Sequence, residues 1–274
     1  MSVWLLLAVT AAGLSAVMTF AWYLQRRTGQ SGWIDATWSF AIGVAGVALA
    51  LAPIAGGPAT ARQVMVAALA LAGSLRLGVH IVSRSLNAGE DPRYQALAVE
   101  WGRDFPRRLF WFLQIQAACA FLLSLAFFLA ARNPSGFPAS TDAAGALIVV
   151  AAILGEAWSD ATLARFRAVR GSGRSVCEDG PWRWSRHPNY FFQWLGWVGF
   201  AVIAIDVTGD WPQGWLAALA PAFMYWLLAH VSGVPPLEKH MLASRGDAFR
   251  SYQSRVNAFF PGPQRRGLNS SLGE

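Results

Sequence analysis

Seven windows of about 20 predominantly apolar residues, each bounded by charge, Pro or Gly, constrain this chain more than any other feature. They run approximately over 3–24, 33–53, 63–83, 108–131, 143–164, 190–207 and 213–231, the sixth being the shortest. A hydrocarbon core of about 30 Å is crossed by roughly 20 residues of helix, and only helices or closed barrels satisfy their backbone groups in lipid. The windows therefore predict an all-α, polytopic membrane helix bundle of about seven transmembrane helices. Only 14% of residues are charged, against about 25% in soluble domains, and mean hydropathy is +0.36. These values exclude disordered, collagen-like and coiled-coil classes. The first window lacks a basic leader and ends at Arg26 and Arg27, so it reads as a true span and not a cleaved signal peptide. One transmembrane domain is expected over 1–262, followed by a disordered tail over 263–274.

Basic residues near span ends stay on the cytoplasmic side. Arg26 and Arg27 follow the first window, Arg84 to Arg108 separate the third from the fourth, Arg165 to Arg186 the fifth from the sixth, and Lys239 to Arg266 follow the last. The opposite side holds only Arg62 and Arg132. This predicts an external N-terminus, a cytoplasmic C-terminus and long cytoplasmic segments over 84–107, 165–189 and 232–262. The net charge of +7 is then an orientation signal, not a nucleic-acid footprint. Cys119 and Cys177 read as free thiols, and the four histidines show no paired ligand spacing, so no metal is expected.

Polar residues inside spans mark the candidate chemistry, since an ionisable group at mid-bilayer costs several kcal/mol. Arg76, His80, Arg84 and Asn87 form one stripe of the third helix, which faces protein or a wet cavity unless Arg76 merely snorkels. Glu156, Asp160 and Arg167 form a second stripe on the fifth, where Asp160 and Arg167 also suit a plain ion pair. Asp35, near the start of the second helix, is the acidic partner expected for Arg76, or only a first-turn dipole partner. Between the fifth and sixth windows lies Ser185-Arg186-His187-Pro188-Asn189-Tyr190-Phe191. Pro188 ends the loop, so Arg186, His187 and Asn189 gather at a helix N-terminus suited to phosphate or carboxylate, with Gln193 one turn on. Glu238, His240, Tyr252 and Arg255 are placed to close over the same ligand.

With Trp33-Ile34-Asp35-Ala36-Thr37-Trp38, Leu75-Arg76-Leu77, Gly89-Glu90-Asp91-Pro92-Arg93-Tyr94 and the ending from Tyr252 to Pro261, this layout resembles the steroid 5-alpha-reductase C-terminal superfamily, and within it the bacterial DUF1295 branch. The resemblance covers nearly the whole chain. It implies a multi-pass reductase of the bacterial inner membrane that binds NADPH from the cytosol. Hydride would pass to the double bond of an enone lipid or steroid-like substrate. It assigns Asp160, Arg167, Asn189 and Tyr252 to the cofactor, with Gln193 standing where many relatives have Glu. The arginines of the 165–186 segment, Arg174 among them, suit the cofactor phosphates, although orientation alone would also put them there. Asp35 falls where the steroid reductases keep a catalytic Glu. Their carbonyl-polarising Tyr on the third helix is absent, leaving Arg76 and His80 as replacements and Tyr94 as the next candidate donor. Isoprenylcysteine and phospholipid methyltransferases resemble the Arg-His-Pro-Asn-Tyr core, so an S-adenosylmethionine-dependent membrane methyltransferase is the alternative, and a non-enzymatic lipid- or partner-binding protein the third reading.

Overall fold

The computed structural model describes residues 2–54, 56, 58–88, 92–171 and 175–265. Arg174, the Gly89-Glu90-Asp91 part of the motif before Pro92, and the tail from 266 onward lie outside the described residues. All regular elements described are helical: α1 (Val3–Thr28), α2 (Trp33–Leu51), α3 (Ala61–Ala88), α4 (Pro92–Trp101), α5 (Phe105–Ala131), α6 (Ser140–Arg170), α7 (Pro188–Ala204), α8 (Leu219–Trp226), α9 (Val234–Arg245) and α10 (Asp247–Arg255). Six stretches are long and apolar enough to cross a membrane: Val3–Thr28, Trp33–Leu51, Ala61–Leu86, Arg93–Ala131, Ser140–Arg170 and Pro212–Arg245. The chain is therefore an all-α, multi-pass membrane protein. The expected span over 190–207 is α7, whose 17 residues fall below a full crossing. It stops because Asp206 accepts the backbone N–H groups of Thr208, Asp210 and Trp211 and turns the chain.

The chain packs as two compact units, one made of residues up to Val149 with Val198–Ala220, the other of Val150–Trp197 with the chain from Pro221 onward. In the first unit, α2 packs against α1, α3 and α5. Small residues allow this close approach, as lipid-embedded helices without a hydrophobic drive require. Gly43 lies against Ser74, Gly46 against Ala70 and Phe127, and Gly78 against Phe40. Hydroxyls bridge the same seam, Ser74 donating to the Ser39 carbonyl and Ser85 to that of Gly32 at 2.9 Å.

The two basic residues at the sparsely charged end hold this unit together. Arg62, 4% exposed, pairs with Asp142, 1% exposed, at 2.7 Å and also donates to the Ser135 carbonyl at 2.8 Å. Arg132 donates to the carbonyls of Leu49, Ala50 and Ala52, capping the α2 C-terminus where a cation is favoured.

In the second unit, α6 and α7 run antiparallel with matched rungs: Asp160 faces Asn189, Glu156 faces Gln193, and the Phe192 ring fills the space above Gly155. The last predicted window is not one continuous α-helix. It passes through a 3₁₀ segment (Pro212–Ala218), α8 and a π-helical turn (Leu227–Val231), and breaks at Gly233, whose Cα lies too close to the Leu228 carbonyl for any side chain. The reoriented chain then forms α9 and α10.

Candidate functional site

Each unit carries a polar cluster that is a candidate for chemistry. In the first, Asp35 sits in the first turn of α2 and meets residues from the start of α4. The Tyr94 hydroxyl donates to Asp35 Oδ1 at 3.0 Å, and the Arg93 guanidinium pairs with Oδ2. Arg93 also lies over the Tyr94 ring, 5.9 Å from its centroid. Tyr94 is buried, whereas the Asp35 side chain stays 23% exposed, so the carboxylate remains reachable. The Gln116 side chain of α5 lies beside the Tyr94 phenol, and its Oε1 is buried without a hydrogen-bond partner.

This arrangement differs from the expected Asp35–Arg76 pairing. No hydrogen bond or ion pair joins Asp35 to Arg76 or His80 among the described residues, and both Asp35 oxygens are engaged from α4. The reason is rotational. Ala70, Ser74 and Gly78 form the α3 face against α2, and at 100° per residue Arg76 points to the opposite side, with His80 away from the seam as well. The carbonyl-donor candidate Tyr94 is the one that the structure brings to Asp35. Arg93 and Gln116 had no assigned role in the sequence reading. The available signal for Gln116 was a carboxamide inside an apolar window.

In the second unit, Glu238 of α9 is the hub. It accepts from Arg186 Nε at 2.7 Å and Nη2 at 3.2 Å, from His187 Nε2 at 2.9 Å and from Gln253 Nε2 at 2.7 Å. Arg186 Nη1 donates to the carbonyls of Gln253 and Val256, so four of its five N–H groups are turned to protein acceptors and not to the phosphate expected of it. His187 is buried and stacked on Tyr190 with ring centroids 5.4 Å apart. Its Nδ1 is buried without a hydrogen-bond partner. The bond from Nε2 to Glu238 fits a neutral imidazole protonated at Nε2.

Burial holds the His187 pKa below its ordinary value, the Glu238 contact opposing and the Arg186 charge reinforcing the shift. An imidazole kept neutral by folding stabilises the fold above the unfolded value near 6.5, and that contribution is lost as pH falls from there toward the depressed folded value. Thermal midpoints are therefore expected to decline on acidification below about pH 6.5, and His187→Gln should flatten that slope; equal slopes in both proteins would contradict it.

Next to this hub, Asn189 Nδ2 donates to Asp160 Oδ1 at 3.3 Å. Gln193, its amide nitrogen turned to Glu156, donates to both carboxylate oxygens at 3.1 and 3.3 Å. Asp160 and Glu156 are both buried. Arg167 is exposed near the end of α6.

The remaining expected ligands are placed otherwise. The Tyr252 hydroxyl is buried and donates to the carbonyls of Trp182 and Ser185, and burial pushes its pKa up, so it pins the loop and does not face a ligand. Arg255 pairs with Glu178 at 2.9 Å, and His240 is exposed and outside the hub. The C-terminal segment is laid on the signature by bonds from Gly262 N to Trp184 O at 3.0 Å and from Ser185 Oγ to Phe259 O at 2.8 Å. Among the described residues no group of three or more His, Cys, Asp or Glu side chains could hold a metal ion.

A multi-pass helical protein with one acid–phenol–guanidinium cluster in one unit and a buried acid–amide ladder beside a carboxylate hub in the other is the class that fold and site define. The chain belongs to the family described as "Protein of unknown function (DUF1295)", whose pattern matches residues 21–256. It is also similar to an uncharacterized protein of Schizosaccharomyces pombe, C594.04c, at 31% identity over 93 residues, 32% of this chain and 24% of that protein. The match thus spans about a quarter of that relative. No solved structure matches the chain.

Proposed function

We propose that this protein is an NAD(P)H-dependent membrane reductase that adds hydride to the C=C bond of an enone lipid or steroid-like substrate. The observation that carries the reading is the Tyr94 hydroxyl seated on Asp35. In enone reduction, a hydride reaches the β-carbon, negative charge gathers on the carbonyl oxygen, and a proton reaches the α-carbon. Tyr94 would donate to that oxygen, Asp35 would hold the phenol in position, and Arg93 would anchor the Asp35 carboxylate. The role that the steroid reductases give to a Glu and a Tyr would here fall to Asp35 and a Tyr on a different helix.

The second unit suits a dinucleotide by its donor set. Asp160 with Asn189, and Glu156 with Gln193, offer paired acceptors and donors of the kind that ribose hydroxyls and a carboxamide require. Exposed Arg165, Arg167 and Arg170 close α6 with charge for phosphates. Bound NADPH would supply the hydride. The Arg186–His187–Glu238 hub would fix the start of α7 and so orient Asn189, acting as a positioning group. The charge distribution supports a cytosolic placement of this face, and the cell membrane of a bacterium fits as location.

The test is purification in mild detergent, identification of retained nucleotide by mass spectrometry, and measurement of NADPH oxidation against a panel of enone lipids. Retained NADP(H) and enone-dependent oxidation are expected. Retention of S-adenosylmethionine or S-adenosylhomocysteine would replace the reductase with the methyltransferase, and no binding of either would remove both.

A further inference from the structure

Where α1 ends and α5 begins, the first unit opens a cleft of about 450 Å³ that neither polar cluster uses. Its walls carry three arginines, Arg26, Arg103 and Arg107, and two aromatic rings, Trp22 and Phe110. Trp22 donates to the Pro106 carbonyl at 2.7 Å and packs edge-on against Phe110 at 5.4 Å, which keeps the cleft floor rigid. Arg26 lies over the Trp22 ring at 5.2 Å. None of the three guanidinium groups makes a hydrogen bond or ion pair among the described residues, and all three side chains are exposed. Asp104 is the one acidic group in the lining, so three positive charges face one negative.

Below the cleft the surface turns apolar in register with it. Arg107, Trp111, Ile115 and Leu122 are spaced four, four and seven, which sets them on one stripe of α5. Trp111, Ile115 and Leu122 are 60%, 62% and 52% exposed. Because α5 belongs to a membrane-crossing stretch, that stripe is the surface on which acyl chains lie. An arginine-lined, aromatic-floored cleft at a helix end, continuous with an apolar stripe, matches an amphiphile with an anionic head.

We propose that this cleft binds the phosphate of an anionic diacyl phospholipid, held by Arg26, Arg103 and Arg107 with its acyl chains along Trp111, Ile115 and Leu122. Head-group hydroxyls would donate to Asp104. The site stands apart from the proposed reductase chemistry, and its test does not depend on it.

The full-length protein in mixed micelles is titrated with dioleoylphosphatidylglycerol or dioleoylphosphatidylcholine, and bound lipid is counted by native mass spectrometry. One tightly held phosphatidylglycerol is expected, with phosphatidylcholine bound about tenfold more weakly. Arg103→Ala/Arg107→Ala should lower phosphatidylglycerol affinity about 25-fold, roughly fivefold per arginine removed. Arg27→Ala/Arg108→Ala, which removes the same charge at the same end but outside the lining, should change it less than about twofold. Equal losses in the two double variants would reduce the effect to general surface charge and overturn the site. So would a wild-type protein that does not distinguish the two lipids. In a competition arm, millimolar glycerol 3-phosphate or inorganic phosphate should leave the lipid in place; displacement by either would assign the cleft to a free phosphate and overturn the lipid reading.

Discussion

A Tyr94→Phe protein is expected to fold as wild type and to reduce an enone lipid about 100- to 1,000-fold more slowly, the loss that follows removal of one donor from a developing oxyanion. The substitution deletes one oxygen. Arg93 continues to pair with Asp35, the ring keeps its packing, and the stability lost is about one hydrogen bond, on the order of 1 kcal/mol. NADPH affinity should stay within about twofold, because the group acts in the transition state and not in cofactor binding. Asp35→Asn should share the rate loss, since the amide loses the Arg93 ion pair and can turn its nitrogen toward the phenol in place of an acceptor oxygen. The measurement is stopped-flow NADPH oxidation together with equilibrium nucleotide titration. A Tyr94→Phe rate within threefold of wild type would remove Tyr94 from the chemistry, whatever the activity of the parent protein.

The placement of Tyr94 shows what a sequence of this kind discloses and what it withholds. Six of the apolar windows correspond to crossing-length stretches because the bilayer imposes a length and a hydropathy that can be read one window at a time. The window over 190–207 overran its helix because hydropathy continues through Ile205 and Val207, whereas the turn is made by the single side chain of Asp206. Polar faces are equally legible: the four-residue spacing of Glu156 and Asp160 and that of Asn189 and Gln193 are both visible, and the structure joins them rung to rung.

What periodicity does not contain is which face meets which neighbour. Asp35 and Arg76 looked complementary by charge, but the small-residue seam of α2 and α3 decides the rotation of α3 and turns Arg76 away. The partners of Asp35 come instead from α4, a helix of a segment expected to be a cytoplasmic loop. Tyr252 is the converse case. A conspicuous polar side chain near the C-terminus reads as a ligand, yet its hydroxyl satisfies two backbone carbonyls that the 3₁₀ turn at Gly180–Arg183 and the following residues would otherwise bury unpaired.

Glu238→Ala is expected to have the largest effect on stability of any single change in the second unit. Four donor atoms from three residues converge on this carboxylate, and both it and Arg186 are close to buried, at 13% and 11% side-chain exposure. Truncation leaves a guanidinium held only by backbone carbonyls, together with an unpartnered Gln253 amide and a His187 lacking its acceptor, and breaking such a pair from one side costs about 3–5 kcal/mol. The thermal midpoint should fall on the order of 10 °C. Glu238→Gln should lose roughly half as much, since its carbonyl oxygen still accepts while its amide nitrogen faces Arg186. The cost belongs to the orphaned charge and not to the pair as such, so Arg186→Met/Glu238→Met should be more stable than Glu238→Ala alone. The hub also holds Arg186 against Gln253 and Val256, so Glu238→Ala should speed tryptic cleavage after Arg255, read in the folded fraction at a temperature below the new midpoint. Strictly additive losses across the Arg186 and Glu238 variants, or wild-type cleavage kinetics in Glu238→Ala, would mean that the C-terminal segment is held to the signature by the Tyr252, Ser185 and Gly262 bonds and the Arg255–Glu178 pair without help from the hub.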